Sequence, residues 1–197
     1  MTIPAADALV RLQEGNRRFV AEGAGRDHAL TTDQDPIAII LGCSDARVPA
    51  EIVFDQSLGD LFVIRVAGNI VAPSQVGSVE FAASRFGTRL VVVLGHTQCG
   101  AIQATLEQLQ QPFESQSRNL LSIVNRVRPS VAPLLQTDLR HDLDKLKRLA
   151  MRANVVASVD HLRTGSEVLE QLIADEGLMV VGAEYAVETG IVEFFET

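Results

Sequence analysis

The stretch IAIILGCSDARVP, residues 37–49, joins a run of apolar residues to a cluster of polar ones at a glycine. A second stretch, LVVVLGHTQCG, residues 90–100, has the same layout. Short apolar runs that end at glycine are typical of strands buried on both faces of a parallel sheet. Two such strands therefore end where polar motifs begin, and both cysteines of the chain, Cys43 and Cys99, lie in these motifs.

The rest of the chain predicts an α/β fold. Apolar runs predict further strands at 61–68, 177–183 and 191–195, and helical periodicity predicts helices at 4–22, 74–86, 101–110, 119–135, 138–152 and 166–175. This alternation predicts a single domain (1–197) with a mostly parallel sheet of four to five strands flanked by helices. We expect a helical arm and loop at 1–35 and an α/β core at 36–197. The apolar stripe on the first helix indicates packing on its own domain or on a second subunit.

Composition and charge narrow the function classes. The formal net charge of -8 argues against nucleic acid or an anionic membrane surface as a partner, since both attract basic proteins. No apolar run reaches the roughly 18–20 residues of a membrane-spanning helix, and the first residues lack a signal-peptide pattern. We therefore expect a cytoplasmic protein. In that setting two cysteines indicate metal binding or catalysis before a disulfide.

Cys43, His96 and Cys99 form a candidate metal site. If the two strands are neighbours, both motifs open into one crevice at the carboxyl ends of the strands. Two thiolates and an imidazole suit Zn²⁺, and three protein ligands leave the fourth position that a catalytic zinc needs. Two other interpretations stay open, namely a redox or nucleophilic thiol and cysteines that only pack as small apolar residues.

Asp45 and Arg47 lie directly beside the first cysteine. Asp45 could occupy the fourth metal position, but Arg47 competes for the carboxylate by bidentate pairing. Zinc then keeps a water molecule and lowers its pKa from 15.7 toward about 7. Taken alone, the two residues are explained better as a structural ion pair than as catalytic groups. The remaining histidines, in polar contexts, are interpreted as solvated or structural: His28, His141 and His161.

Several longer stretches resemble the β-class carbonic anhydrases: CSDARVPAE (43–51), GDLFVIRVAGNIV (59–71), GSVEFA (77–82) and VVVLGHTQCGAI (91–102). The resemblance implies reversible hydration of CO₂ to bicarbonate and a proton by zinc-bound hydroxide. It implies Cys43, His96 and Cys99 as zinc ligands, Asp45 as a fourth ligand only in a closed, inactive form, and Asp45 with Arg47 as the catalytic pair. It further implies a homodimer or a higher homo-oligomer, tetramers included, whose N-terminal helices embrace the partner.

The same resemblance indicates a substrate pocket of the plant-like subtype. That subtype carries a glutamine nine residues before the first cysteine, which here is Gln34, although a solvated loop residue is the alternative. Phe62 and Phe81 match aromatic pocket positions, and Phe81 lacks the hydroxyl of the tyrosine usual there. The pocket wall is completed by small or apolar residues, which are Val66, Ala67 and Gly100.

A second subtype carries an inhibitory bicarbonate site made of tryptophan, arginine and tyrosine. Arg65 matches the arginine and Tyr185 is a candidate for the tyrosine, but Ile40 occupies the tryptophan position and the chain has no tryptophan. We therefore expect no such inhibition. Two functional alternatives remain: hydrolysis of carbonyl sulfide or carbon disulfide on the same site, and a zinc scaffold without activity.

Overall fold

The computed structural model describes residues 3–22, 33–110 and 117–195. Its centre is a five-stranded sheet in the order β2-β1-β3-β4-β5. Strands β1 to β4 run parallel, and β5 pairs antiparallel with β4 at the edge. The predicted fold class is confirmed. The strands are β1 (Ala38–Gly42), β2 (Leu61–Arg65), β3 (Leu90–His96), β4 (Met179–Tyr185) and β5 (Val192–Phe195).

Helices flank the sheet: α1 (Ala5–Glu22), α2 (Ala50–Val53), α3 (Pro73–Arg85), α4 (Gly100–Gln110), α5 (Arg118–Val131), α6 (Leu143–Thr164) and α7 (Glu167–Glu176). The helix predicted at 119–135 ends early, and a 3-10 turn at Ala132–Gln136 follows, because Pro133 has no N–H to continue the α-helix. The strand predicted at 61–68 ends at Arg65, where a turn at Ala67–Asn69 begins.

Strands β1 and β3 are buried on both faces of the sheet. Side chains alternate along each strand, so Ile39 and Val91 enter the core beneath α6, while Ile40 enters the core on the opposite face with α1. On the α6 face Gly95 permits a close approach, because a Cβ there would lie 2.5 Å from Val155 Cγ2. Helix α6 is therefore packed directly onto β3.

Helix α1 packs on its own chain. Ala8 and Leu12 are fully buried in the core on that face. The buried Asn16 side chain donates hydrogen bonds to the carbonyls of Val53 and Gly190, at 3.0 and 2.9 Å, and accepts one from the backbone N–H of Val192. Packing of this helix on a partner subunit, and the division into an arm at 1–35 and a core at 36–197, stay predictions.

The order of strands reverses at β1, which has β2 on one side and β3 on the other. A crevice forms at such a switch point beyond the carboxyl ends of the strands, where open α/β sheets bind their ligands. The candidate site depends on β1 and β3 being adjacent strands. The pairing of Gly42 with Leu94 confirms that they are. None of the helices described in the structure combines the length and the apolarity needed to cross a bilayer.

Candidate metal centre

The three candidate ligands meet in the crevice between β1 and β3. Cys43 follows the last residue of β1, His96 is the last residue of β3, and Cys99 precedes the first residue of α4. The imidazole and the two sulfurs offer ligand atoms that all lie within 4.8 Å of one another. All three residues are buried, and His96 is wholly inaccessible to solvent. The sequence prediction that these residues converge is confirmed.

The sulfur atoms of Cys43 and Cys99 lie close enough to affect each other's pKa. Cys43 Sγ and Cys99 Sγ lie 4.0 Å apart, and neither is in a disulfide. The hydrogen bond from Cys99 lowers the pKa of Cys43 to about 4, and the same contact raises the pKa of Cys99. The pair thus holds a negative charge next to an imidazole, which is an arrangement suited to a soft or borderline cation.

The imidazole of His96 is oriented for a ligand. Its Nδ1 lies 2.8 Å from the Thr97 carbonyl, and since a carbonyl only accepts, Nδ1 carries the proton. Nε2 is then an acceptor, and it is buried without a hydrogen-bond partner. An unpaired buried nitrogen beside two thiols fits a metal ion, because coordination satisfies that nitrogen and neutralises the sulfur charge. The residues present therefore fit Zn²⁺.

Asp45 is held away from this triad by Arg47. The guanidinium donates from Nε to Oδ1 at 2.9 Å and from Nη2 to Oδ2 at 2.7 Å, and the backbone N–H of Arg47 also donates to Oδ1 at 3.0 Å. These bonds keep the pKa of the Asp45 carboxyl well below its ordinary value. Oδ2 nevertheless lies 3.9 Å from His96 Nε2, so the carboxylate stands at the edge of the candidate metal site.

Gln98 links the Asp45–Arg47 pair to the loop after β4. Arg47 donates to the side-chain and backbone oxygens of Gln98, each at 3.3 Å. Gln98 has a left-handed backbone with a φ of 56°. Its amide donates in turn to Glu188 at 2.6 Å, and Glu188 also accepts from Thr97 at 2.8 Å. Arg47 is therefore fixed on two sides.

Two further contacts fix Cys43. Arg65 donates from Nε to the Cys43 carbonyl at 3.0 Å and also bonds the Asp45 carbonyl. The backbone N–H of Gly68 donates to Cys43 Sγ at 3.4 Å. A hydrogen bond to sulfur stabilises the thiolate form, which is the form that binds a metal.

Comparison with known proteins identifies the family. Residues 38–192 match the carbonic anhydrase family model. The carbonic anhydrase of Mycolicibacterium smegmatis is 38% identical over 197 residues, covering 92% of this chain and 89% of the relative. The β-carbonic anhydrase CafA of Aspergillus fumigatus superposes with a TM-score of 0.75 at 25% identity, covering 97% of this chain and 90% of that one. This chain belongs to the β-class carbonic anhydrase family.

The fold is shared more widely within the family. One of two tetrameric β-carbonic anhydrases from Sordaria macrospora superposes with a TM-score of 0.70 at 22% identity, covering 98% of this chain and 91% of that one. The family match and the 38% identity to a carbonic anhydrase show that the chain is an enzyme of the carbonic anhydrase type. The resemblance inferred from its sequence motifs is confirmed.

In this β-class carbonic anhydrase the predicted pocket residues lie on several elements. Phe62, Val66 and Ala67 are half-buried, and Gly100 is exposed at the first position of α4. Phe81 on α3 is 54% exposed, and its ring lies 6.2 Å from that of Phe62. Gln34 is exposed before β1. The structure brings the two phenylalanines together, and the assignment of these six residues to a substrate pocket stays a prediction.

Several residues of the site lie outside the predicted set. Gln98 lies inside the HTQCG motif, so its position next to Cys99 was a usable signal. Glu188 lies 90 residues from Gln98, and no local pattern connects the two. Phe86 completes a cluster with the predicted aromatic pair, at 6.0 Å from Phe62 and 5.8 Å from Phe81. Arg65 was considered only for a regulatory role.

The residues considered for a regulatory bicarbonate site are buried or hydrogen-bonded to the backbone. Ile40 is fully buried in the core, and Tyr185 is also buried, which raises the pKa of its hydroxyl. Arg65 bonds two backbone carbonyls of the metal motif. The absence of bicarbonate inhibition stays a prediction. Of the other histidines, His141 and His161 are exposed, and His28 lies outside the described residues.

Proposed function

We propose that the chain is a zinc-dependent enzyme that reversibly hydrates CO₂ to bicarbonate and a proton. The observation that carries the proposal is the buried, unpaired Nε2 of His96 beside two thiols, with a restrained carboxylate 3.9 Å away. A purely structural metal site has no use for a carboxylate that is held back from it. Membership of the carbonic anhydrase family supports the choice of substrate.

Cys43, His96 and Cys99 would hold the metal. When bound, Zn²⁺ supplies Lewis acidity, which brings the pKa of water from 15.7 toward about 7 and so yields a nucleophile at neutral pH. The proton on His96 Nδ1 is retained by the Thr97 carbonyl, which keeps Nε2 free for coordination. Cys99 and, to a smaller degree, the Gly68 N–H donate to the Cys43 sulfur and so favour its deprotonated form.

Asp45 and Arg47 act on the reacting water. Because Arg47 bonds both carboxylate oxygens, Asp45 would leave the fourth ligand position free, and Oδ2, 3.9 Å from His96 Nε2, would be near enough to accept a hydrogen bond from a reacting water there. Accepting that hydrogen bond directs an oxygen lone pair toward CO₂. This ordering of the nucleophile is the contribution we assign to the pair.

The predicted pocket residues would receive the substrate. CO₂ is small and apolar, and Phe62, Val66, Ala67 and Phe81 offer an apolar wall. Negative charge develops on its oxygens during attack, and donors placed there lower the barrier. We assign those donors to the Gln34 amide and the Gly100 N–H, the latter at the N-terminus of an eleven-residue helix, where backbone N–H groups have no helical partner. The plant-like pocket is part of this proposal.

We further propose a cytoplasmic homo-oligomer. Two buried thiols 4.0 Å apart without a disulfide suit a reducing compartment. That compartment would be the cytoplasm or a microcompartment within it. The 54% exposed Phe81 ring, packed on two other phenylalanines, supports a covering partner, and a tetrameric relative shares the fold.

Stopped-flow hydration of CO₂ by zinc-loaded and metal-stripped protein tests the proposal. We expect the loaded protein to turn over, the stripped protein to be inert, and activity to return with Zn²⁺. Carbonyl sulfide is assayed in parallel at the same protein concentration. Faster turnover of carbonyl sulfide than of CO₂ would replace the proposed substrate, and a zinc-loaded protein inert toward both gases would make it a scaffold.

A further inference from the structure

The turn at Ala67–Asn69 lies beneath the Cys43 sulfur. Its middle residue, Gly68, has a left-handed φ of 72° and directs its N–H to the sulfur at 3.4 Å. A side chain is disfavoured here, because L residues rarely adopt this φ and a Cβ on Gly68 would lie 3.0 Å from the Cβ of Ala101, closer than ordinary van der Waals contact. Glycine rotates more freely than any other residue, so neighbouring groups that fix the turn help to keep the N–H on the sulfur.

Helix α6 supplies those groups from the far side of the turn. Asn154 Nδ2 donates to the Gly68 carbonyl at 2.8 Å, and Ser158 Oγ donates to the Asn69 carbonyl at 3.2 Å. The two side chains lie four residues apart on a helix and therefore share one face. Both are buried, with 3% and 5% of their surface exposed. Two consecutive carbonyls of the turn are thus tied to one rigid helix, 86 and 89 residues further along the chain.

We propose that Asn154 and Ser158 are positioning residues of the metal centre, which hold the turn so that the Gly68 N–H stays bonded to the Cys43 sulfur. The inference rests on the proposed function, because the bond matters for chemistry only if Cys43 binds the metal. Neither residue contacts a ligand directly. Each acts through the backbone of the turn.

The N–H bond affects how the sulfur donates to a metal. A hydrogen bond draws electron density from a thiolate, so less charge passes to the cation, which remains the stronger Lewis acid. It also fixes the direction of the Cys43 sulfur relative to His96 and Cys99. Loss of the two α6 bonds should therefore increase charge donation from the sulfur, which shifts the electronic spectrum of the thiolate–metal bond. Loss of the fixed sulfur direction should weaken metal binding, besides loosening the fold.

Cobalt substitution separates the electronic effect from a loss of stability. We compare Co²⁺-loaded wild type with Asn154→Ala, Ser158→Ala and, as a matched control, Val159→Ala, which removes a fully buried apolar side chain from the same helix. The thiolate-to-Co²⁺ charge-transfer bands in the near ultraviolet, the Zn²⁺ affinity by chelator competition, and Tm are measured for each. For Asn154→Ala we expect bands at longer wavelength and an affinity loss of about 10-fold.

Ser158→Ala, with the longer hydrogen bond, should shift the bands in the same direction by less. Val159→Ala should lower Tm while leaving the bands and the affinity unchanged. If both polar variants keep wild-type bands and affinity and only lose stability, the residues merely support the fold and the inference is wrong, although the proposed function stands. If Asn154→Ala does not fold, the bands of Ser158→Ala decide in the same way. Wild type without thiolate bands overturns the proposed metal site and this inference with it.

Discussion

Arg47 binds both carboxylate oxygens of Asp45, a residue only two positions away, at 2.9 and 2.7 Å. The guanidinium fork matches the carboxylate plane, and the bonded oxygen Oδ2 still lies 3.9 Å from His96 Nε2. The carboxylate is thus close to the candidate metal ligands but already occupied. In this arrangement both oxygens of Asp45 are bonded to Arg47, which agrees with the proposal that the fourth ligand position is left for water.

Replacing Arg47 by alanine should release Asp45 toward the metal. We expect Arg47→Ala to keep about one Zn²⁺ per chain, because the three ligands are intact, and to lose about 100-fold or more in kcat/KM. Arg47→Lys is the matched variant, because it keeps the charge without the planar guanidinium. Its kcat/KM should lie between those of wild type and Arg47→Ala. Wild-type kcat/KM in Arg47→Ala, with metal content verified by elemental analysis, would contradict the assigned role.

Glu188 should make stability depend on pH. The hydrogen bond from Thr97, with a further one from Gln98, holds the pKa of the Glu188 carboxyl below its ordinary value. A depressed folded-state pKa stabilises the protein above the unfolded value, which is about 4.3, and this stabilisation is lost as pH falls through the lower folded-state pKa. Glu188→Gln should therefore have a lower Tm than wild type at pH 7, and the gap should close below about pH 4.3.

A double-mutant cycle isolates that effect. The Tm change caused by Glu188→Gln is measured again in a Thr97→Val background, where the main donor to the carboxylate is absent. We expect the pH-dependent part of the change to become much smaller. A Tm gap that keeps the same size from pH 7 to pH 3, or that is unaffected by the loss of Thr97, would show that this contact does not stabilise the charged carboxylate.

Phe81 should contribute to subunit assembly. Its ring is 54% exposed on α3 and packs on Phe62 and Phe86, so a polar replacement removes apolar surface without opening the core. We expect Phe81→Ser to shift sedimentation toward smaller species at low micromolar protein while leaving far-ultraviolet circular dichroism unchanged. Val168→Ser, at a 44% exposed apolar residue on α7, is the control and should sediment as wild type. Identical sedimentation of all three proteins would remove Phe81 from the interface.

Loss of any single ligand should strongly weaken metal binding. We expect Cys43→Ser, His96→Ala and Cys99→Ser each to weaken Zn²⁺ affinity by more than the 10- to 100-fold that loss of a residue orienting a ligand costs. His141→Ala, at an exposed histidine, is the control and should bind as wild type. Chelator competition measures the affinities. Unchanged affinity in any one of the ligand variants would remove that residue from the set.

Much of the fold and of the metal triad was predictable because local patterns determine them. The apolar runs that end at Gly42 and Gly95 predict strands, and the motif residues follow those strands directly, so adjacency of β1 and β3 is enough to bring Cys43 and His96 together. Helix α2 was not predicted, because four residues are too few to show a helical period.

The remainder depends on contacts that no local pattern contains. The apolar run that contains β2 continues through Val66 and Ala67. The pattern of apolar residues therefore does not indicate that the strand ends at Arg65 or that the chain turns at Gly68. The bonds from Asn154 to the turn and from Gln98 to Glu188 join residues 86 and 90 positions apart. Only the packing of α6 and of the loop after β4 against the site creates them.

X-ray absorption at the zinc edge of the purified, zinc-loaded protein tests the central claim most directly. Coordination by Cys43, Cys99 and His96 with an open fourth position predicts two sulfur neighbours at about 2.3 Å and two nitrogen or oxygen neighbours at about 2.0–2.1 Å. A zinc shell without sulfur, or with a single sulfur, would contradict the account.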